Sequence, residues 1–261
     1  MIEAAAVSLD ATGPVHSARP VIGHSDLFRS KRLQSQRGVD AFTLKIVAIV
    51  AMTIDHVGAL LYPEALWLRV IGRLTMPIIA FLLVEGYHHT RSVPRYALRL
   101  LAFAVIAQFA YRLAFPVGIN VFFDLLAGLG VIWAADRLRS AWLQGLLLIG
   151  VCGLAIVVSL DWWHLGVLMI FIFHRTRGHF ARSAIALGAL LVANAMVFAV
   201  IAARTGNDGY ATINTIHLGC LLALPLLRLY DGRRGADLRY FFYAYYPAHL
   251  VALWGIKTIW F

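Results

Sequence analysis

The stretch Leu44-Lys45-Ile46-Val47-Ala48-Ile49-Val50-Ala51-Met52-Thr53-Ile54-Asp55-His56-Val57-Gly58 decides how the chain must be read. As a helix it is apolar on nearly every side, which suits a membrane span or a fully buried helix and not a surface helix of a soluble domain. Its few polar residues are therefore expensive and informative. Lys45 and His56 lie about three turns apart, on one face, roughly 16 Å along the axis. Asp55 projects about 100° away from His56, so the two cannot be partners on their own helix.

Working outward, similar apolar runs cover residues 43–62, 66–86, 95–114, 119–135, 142–160, 162–174, 183–203, 211–227 and 240–258. Most approach the roughly 20 residues needed to cross a hydrocarbon core. The run 162–174 is short enough to be a half-helix or a re-entrant segment. Composition agrees: 61% of the 261 residues are hydrophobic and only 14% are charged, against about 25% charged in a soluble domain. The expected fold is all-α, a polytopic bundle of about nine spans. No internal repeat or heptad pattern is visible.

The net charge of +10 would ordinarily raise nucleic acid as a partner. Here the basic residues fall in every second break: Arg91 and Arg95, Arg137 and Arg139, Arg175 to Arg182, and Arg228 to Arg239. That alternation is the signature of cytoplasmic loops and puts the N-terminus inside. A lipid-embedded protein without a nucleic-acid partner follows. Residues 1–41 hold Pro14, Pro20 and a basic stretch but no apolar core of the secretory kind, and are expected to form a poorly ordered cytoplasmic extension. Residues 42–261 form the membrane domain. Cys152 and Cys220 sit inside apolar runs as packing residues.

The second run carries Arg69 and Arg73, one turn apart, with Arg73 at a depth similar to His56. An arginine there needs a carboxylate, with Asp55, Asp124 and Asp161 the candidates, or an anionic ligand. Arg69 can snorkel to the interface. Glu85, His88 and His89 have helical spacing but no third well-placed ligand, so no metal is expected and the group reads as a solvated helix end or a substrate contact. Arg95 and Arg99 with Lys45 and Arg91 make a basic mouth suited to phosphates. Asn120 and Asp124 share a face, as do Asn214 and His217. His249 follows Pro247, whose ring frees a backbone carbonyl.

The opening stretch resembles the first helix of the TraX family of conjugative pilin acetyltransferases. So do Ile71-Gly72-Arg73-Leu74-Thr75-Met76-Pro77, Phe81-Leu82-Leu83-Val84-Glu85-Gly86, Asn120-Val121-Phe122-Phe123 and Tyr246-Pro247-Ala248-His249-Leu250. The family is in turn similar to integral-membrane acyltransferases in which a basic residue, ten intervening residues and a histidine recur, a spacing that Lys45 and His56 match. Asp124 stands where the resemblance leads one to expect a smaller neutral residue.

The resemblance implies transfer of an acetyl group from acetyl-CoA to the N-terminal amine of processed pilin, in the bacterial inner membrane. On that reading Lys45, Arg95 and Arg99 hold the CoA phosphates, with Glu85 and His249 also on the donor side. His56 is the general base, beside Asp55. Arg73 or Asn120 stabilises the oxyanion. Two other readings stay open: a non-acylating pilin maturation or processing factor, and a small-anion transporter.

Overall fold

The computed structural model describes residues 38–237 and 239–260; the expected N-terminal extension falls almost wholly outside them. Among the described residues each apolar run of the sequence is helical. The first is α1 (Ala41–Leu60), capped by Asp40, whose carboxylate accepts from the Thr43 amide at 2.8 Å. The second run is two helices, α2 (Leu66–Gly72) and α3 (Thr75–His89). There follow α4 (Val93–Ala114), α5 (Val121–Ala135), α6 (Ala141–Val157), α7 (Trp163–Arg175) and α8 (Phe180–Thr205). The eighth run is composite: α9 (Asp208–Thr215), a 3-10 helix (Ile216–Ala223) and α10 (Leu224–Arg228); α11 is Arg239–Trp260.

Five of these segments are long and apolar enough to cross a membrane: Ala41–Leu60, Leu66–His89, Val93–Ala114, Phe180–Thr205 and Asp208–Arg228. Three shorter ones, α5, α6 and α7, are apolar but run only about 20–26 Å at 1.5 Å per residue, below the roughly 30 Å core. The short run 162–174 is thus a true helix, and an interior one: Leu165, Gly166, Val167, Met169, Ile170 and Phe173 are all buried.

The helix ends sort to two sides of the bundle. At one side Glu85 pairs with Arg177 at 2.8 Å, and Asp136 receives Tyr87 and His174 at 2.6 and 2.8 Å. The segment after α10 straps onto the start of α1, with Val39 N–H donating to Leu229 and Ala41 N–H to Arg233. This is the side where the basic breaks gather. At the opposite side Ile119 and Leu160 form a short bridge, and Asp161 accepts from Tyr111 at 2.9 Å.

Two departures from regular helix shape the interior. Pro77 has no N–H to give the Arg73 carbonyl and its ring crowds that group, so the second run breaks at Arg73 and Leu74. Against that break lies the 3-10 helix, eight residues long where three or four is usual. Glycine permits both close approaches: a Cβ on Gly72 would overlap the Asp55 carboxylate, and one on Gly219 would overlap the Val70 carbonyl. In lipid, such backbone proximity and interhelical polar contacts replace the hydrophobic drive that folds a soluble core.

Candidate functional site

α1 delivers the central residues. Its face bearing Ala41, Lys45, Ala48, Ile49 and Met52 lines a cavity of about 740 Å³ that reaches the basic side of the bundle. Met52 also lines a second pocket of about 170 Å³, beside Asp55 and His56. The shared face expected of Lys45 and His56 therefore exists, and it runs along both cavities. Met52, Thr75, Val121 and Tyr246 belong to the walls of both.

His56, in the wall of the smaller pocket, and His249 behind it are buried and bonded, Nδ1 to Nε2, at 2.7 Å. The tautomers follow by elimination. The Nδ1 of His249 lies 3.0 Å from the Tyr245 carbonyl, which can only accept, so that nitrogen carries the proton. Its Nε2 is then bare and accepts from His56 Nδ1–H. This leaves Nε2 of His56 as a lone pair with no protein partner among the described residues. Orientation of one ring nitrogen by a bond at the other is how a histidine is set up as a base. His249, which the sequence placed on the donor side, lines neither cavity and is bonded to His56.

Asp55 does not serve His56, as its position on the helix required. Its carboxylate holds Arg73 at 2.7 and 2.9 Å and Arg69 at 2.8 Å. Arg69 also donates to the Asp55 carbonyl, so it faces inward instead of snorkelling. Arg73 lies over the Trp162 ring, 4.7 Å from its centroid, and 3.5 Å from His217. Removing one partner of such a buried pair leaves an uncompensated charge and costs about 3–5 kcal/mol. Asp55 thus lines the pocket with its carboxylate held by two arginines, and it makes no bond to His56.

Asn120, expected to stabilise an oxyanion, is fully buried, and both of its side-chain N–H groups are engaged. Its side chain caps α5 by accepting from Phe122 N–H and donates to Ala104 and Gln108. Asp124 is equally buried and accepts from the Trp162 amide at 3.3 Å. The loop that carries Asp161 and Trp162 to this pocket is bent sharply, with Ser159 and Trp163 at φ of 56° and 48°. Bulky residues in that region are rare and concentrate where surrounding contacts enforce a functional shape. Asn214 and His217 do not act together: Asn214 joins an interhelical chain with Asn194 and His164, while His217 meets Arg73 across the 3-10 segment.

The larger cavity is lined by Lys45, Arg91, Arg99 and Arg234, with Glu85, His89 and Asp237 among its acidic and imidazole groups. Tyr96 stands beside Arg99, 5.5 Å from guanidinium to ring centroid, and Lys45 lies over Phe242 at the same distance. Arg95 is not among the residues that line it. The cavity face of α4 centres on Tyr96 and Leu100, and Arg95 falls about 100° from Tyr96 around the helix. Its backbone, not its side chain, has the local role, receiving the Ser92 cap. Arg234 was missed because it sat in a cluster that positive-inside bias already explained; only the strap after α10 carries it to the cavity. Glu85 reaches the cavity wall while its carboxylate is held by Arg177, His88 stacks on His174, and His89 bonds the Glu85 carbonyl.

Comparison with known proteins places this geometry in context. The family model described as "TraX protein" matches residues 41–257. The chain is 33% identical to "Probable fimbrial assembly protein FimC, serogroup H1" of Dichelobacter nodosus, over 85% of this chain and 98% of that protein. It is 29% identical to an uncharacterised protein of Rickettsia prowazekii (strain Madrid E), over 49% of this chain and 48% of that one. No solved structure matches the chain.

Proposed function

The chain belongs to the TraX family, and from that premise we propose that it acts in pilus maturation as an acetyltransferase of the bacterial inner membrane. Acetyl-CoA is the donor and the N-terminal amine of a pilin is the acceptor. The observation that carries the reading is His56: a buried imidazole whose Nδ1 proton is fixed by His249 and whose Nε2 lone pair stands in a pocket continuous in its walls with a basic cavity.

In this reading the nine helical runs all cross, the N-terminus is cytoplasmic, and the basic cavity opens to the cytosol. Lys45, Arg91, Arg99 and Arg234 take the phosphates of the nucleotide end, where arginines suit phosphate oxygens well. The acyl arm passes Met52 and Thr75 to His56. The amine nitrogen attacks the thioester carbonyl carbon and forms the C–N bond while the carbonyl π pair moves onto oxygen. His56 Nε2 takes the proton the nitrogen loses. Collapse breaks the C–S bond, and the imidazolium returns that proton to the leaving sulfur. The products are an N-acetyl pilin, short of one positive charge, and free CoA.

The test is the mass of the pilin N-terminus recovered from cells making wild-type or His56→Ala protein at equal levels. The reading expects acetylated pilin from the first and a free amine from the second. Full acetylation with His56→Ala would end it. A second reading, passage of a small anion, draws on the broken helices packed against each other, a feature that transporters use to expose backbone to substrate. It expects anion flux into vesicles from protein that transfers no acetyl group.

A further inference from the structure

On the acetyltransferase reading, on which this inference rests, His56 accounts for only one of two protons. A peptide amine has a pKa of about 8 and arrives near neutral pH as an ammonium. It must lose one proton before it can attack, and a second as the C–N bond forms. His56 Nε2 takes the second and returns it to the leaving sulfur. The first needs another acceptor, one that can pass it to solvent.

Asp161 has those properties. It lines the pocket of about 170 Å³ together with His56, and it is exposed. The other carboxylate of that pocket, Asp55, is buried and bound to two arginines. Asp161 forms no ion pair among the described residues; the hydrogen bond its side chain makes is through Oδ1, from the Tyr111 hydroxyl at 2.9 Å. Its backbone is pinned: Asp161 N–H donates to the Ile119 carbonyl at 2.8 Å, and Ile119 N–H to the Ser159 carbonyl at 3.0 Å. Ser159 and Trp163, two residues to either side, both have positive φ, so the loop carries backbone strain around the residue it presents.

The charges about Asp161 also favour loss of a proton there. Within electrostatic reach of its carboxylate are Tyr111 of α4, Asp55 of α1, and Arg69 and Arg73 of the second run. Asp124 of α5 and Tyr246 of α11 lie near it as well. The pocket lining holds two arginines and two carboxylates, so with His56 neutral it has no net charge. An entering ammonium adds one positive charge beside the arginines, which disfavour it. Loss of one proton to solvent restores neutrality and leaves a nucleophilic amine.

We propose that Asp161 is the catalytic residue of the acceptor side: it binds the terminal ammonium of the pilin and takes its first proton. The acceptor enters on the side of the bundle opposite the basic cavity. An N–H bond of the ammonium breaks, its proton goes to a carboxylate oxygen of Asp161, and the electron pair stays on nitrogen. The amine then attacks the thioester, and His56 carries the second proton to sulfur. Asp161, now a carboxylic acid, gives its proton to solvent. An ammonium and acetyl-CoA thus become an N-acetyl peptide, CoA thiol and one released proton.

The test uses purified full-length protein, acetyl-CoA and a synthetic peptide copying the pilin N-terminus with its amine free. Asp161→Asn keeps the shape and an oxygen for Tyr111 but no longer acts as a base; Asp161→Glu keeps the carboxylate. Near pH 7 Asp161→Asn should lower kcat/KM for the peptide about 10²-fold, with the KM for acetyl-CoA unchanged. Between about pH 6 and 8 its kcat/KM should climb tenfold per pH unit, following the fraction of free amine, while wild type and Asp161→Glu stay nearly flat. Wild-type kcat/KM in Asp161→Asn, a pH profile parallel to that of wild type, or equal losses from Asn and Glu at every pH would each overturn the role of Asp161 and leave the acetyltransferase reading standing. Absence of acetyl transfer by the wild-type protein at any pH would bring down both.

Discussion

The two cavities walled by α1 are built on opposite principles. Around His56 the charged groups have protein partners: Asp55 pairs with two arginines, His56 bonds to His249, and Asp161 accepts from Tyr111. Around Lys45 the walls are looser, and Arg91, Arg99 and Arg234 are exposed. A small pocket whose arginines and carboxylates are held by protein partners keeps a reacting group at fixed geometry without reorganisation. A larger basic cavity with solvated arginines suits a bulky, highly charged ligand that must enter and leave. The contrast is what separates a site of chemistry from a site of binding, and substitutions in the two should fail differently.

The largest effect is expected at the ion-pair anchor. Asp55→Ala strands Arg69 and Arg73 and should destabilise the purified protein by about 3–5 kcal/mol, read as a lowered thermal midpoint in detergent. Asp55→Ala with an unaltered midpoint would show that the pocket is not held by that carboxylate. Next comes the histidine pair. A double-mutant cycle with His56→Ala and His249→Ala, read on acetyl transfer, should give a coupling of about 0.5–3 kcal/mol, with His249→Ala adding little once His56 is gone. Strict additivity would mean that the 2.7 Å bond is packing alone.

The smallest effect sharpens the comparison from the binding side. Arg99→Ala should raise the KM for acetyl-CoA about tenfold, the worth of roughly one charge-assisted hydrogen bond, with kcat unchanged. Arg95→Ala, one turn away and off the cavity, should change KM less than about twofold, within the ±0.5 kcal/mol usual for surface sites. Equal losses from both would mean that the basic end acts as a diffuse field and not as a lined cavity.

These outcomes depend on details that differ in how readable they were. The helices were legible because each apolar run is bounded by polar breaks, and the common face of Lys45 and His56 follows from spacing alone. The break at Arg73 and Leu74 was hidden, since hydropathy runs unbroken from 66 to 86 and only Pro77 marks it. The 3-10 stretch at Ile216–Ala223 leaves no such mark; it forms where Gly219 meets the Val70 carbonyl, a tertiary fact. Partner choice was likewise out of reach. Three carboxylates could have met Arg73, and His249 lies 193 positions from His56. Helical spacing also grouped Arg95 with Arg99, whereas the cavity face centres on Tyr96 and Leu100 and takes in Arg99 alone of the two.

The most direct test of the central claim is the thermal midpoint of the detergent-purified protein, wild type beside Arg99→Ala, with and without acetyl-CoA. A ligand at a hundredfold excess over its Kd stabilises the state it binds by about 2.7 kcal/mol. The account predicts a clear upward shift for wild type and a reduced one for Arg99→Ala at the same concentration. No shift of the wild-type midpoint at saturating acetyl-CoA would contradict it, and would leave His56 and His249 as a bonded pair in the core of a pilus maturation factor that transfers nothing.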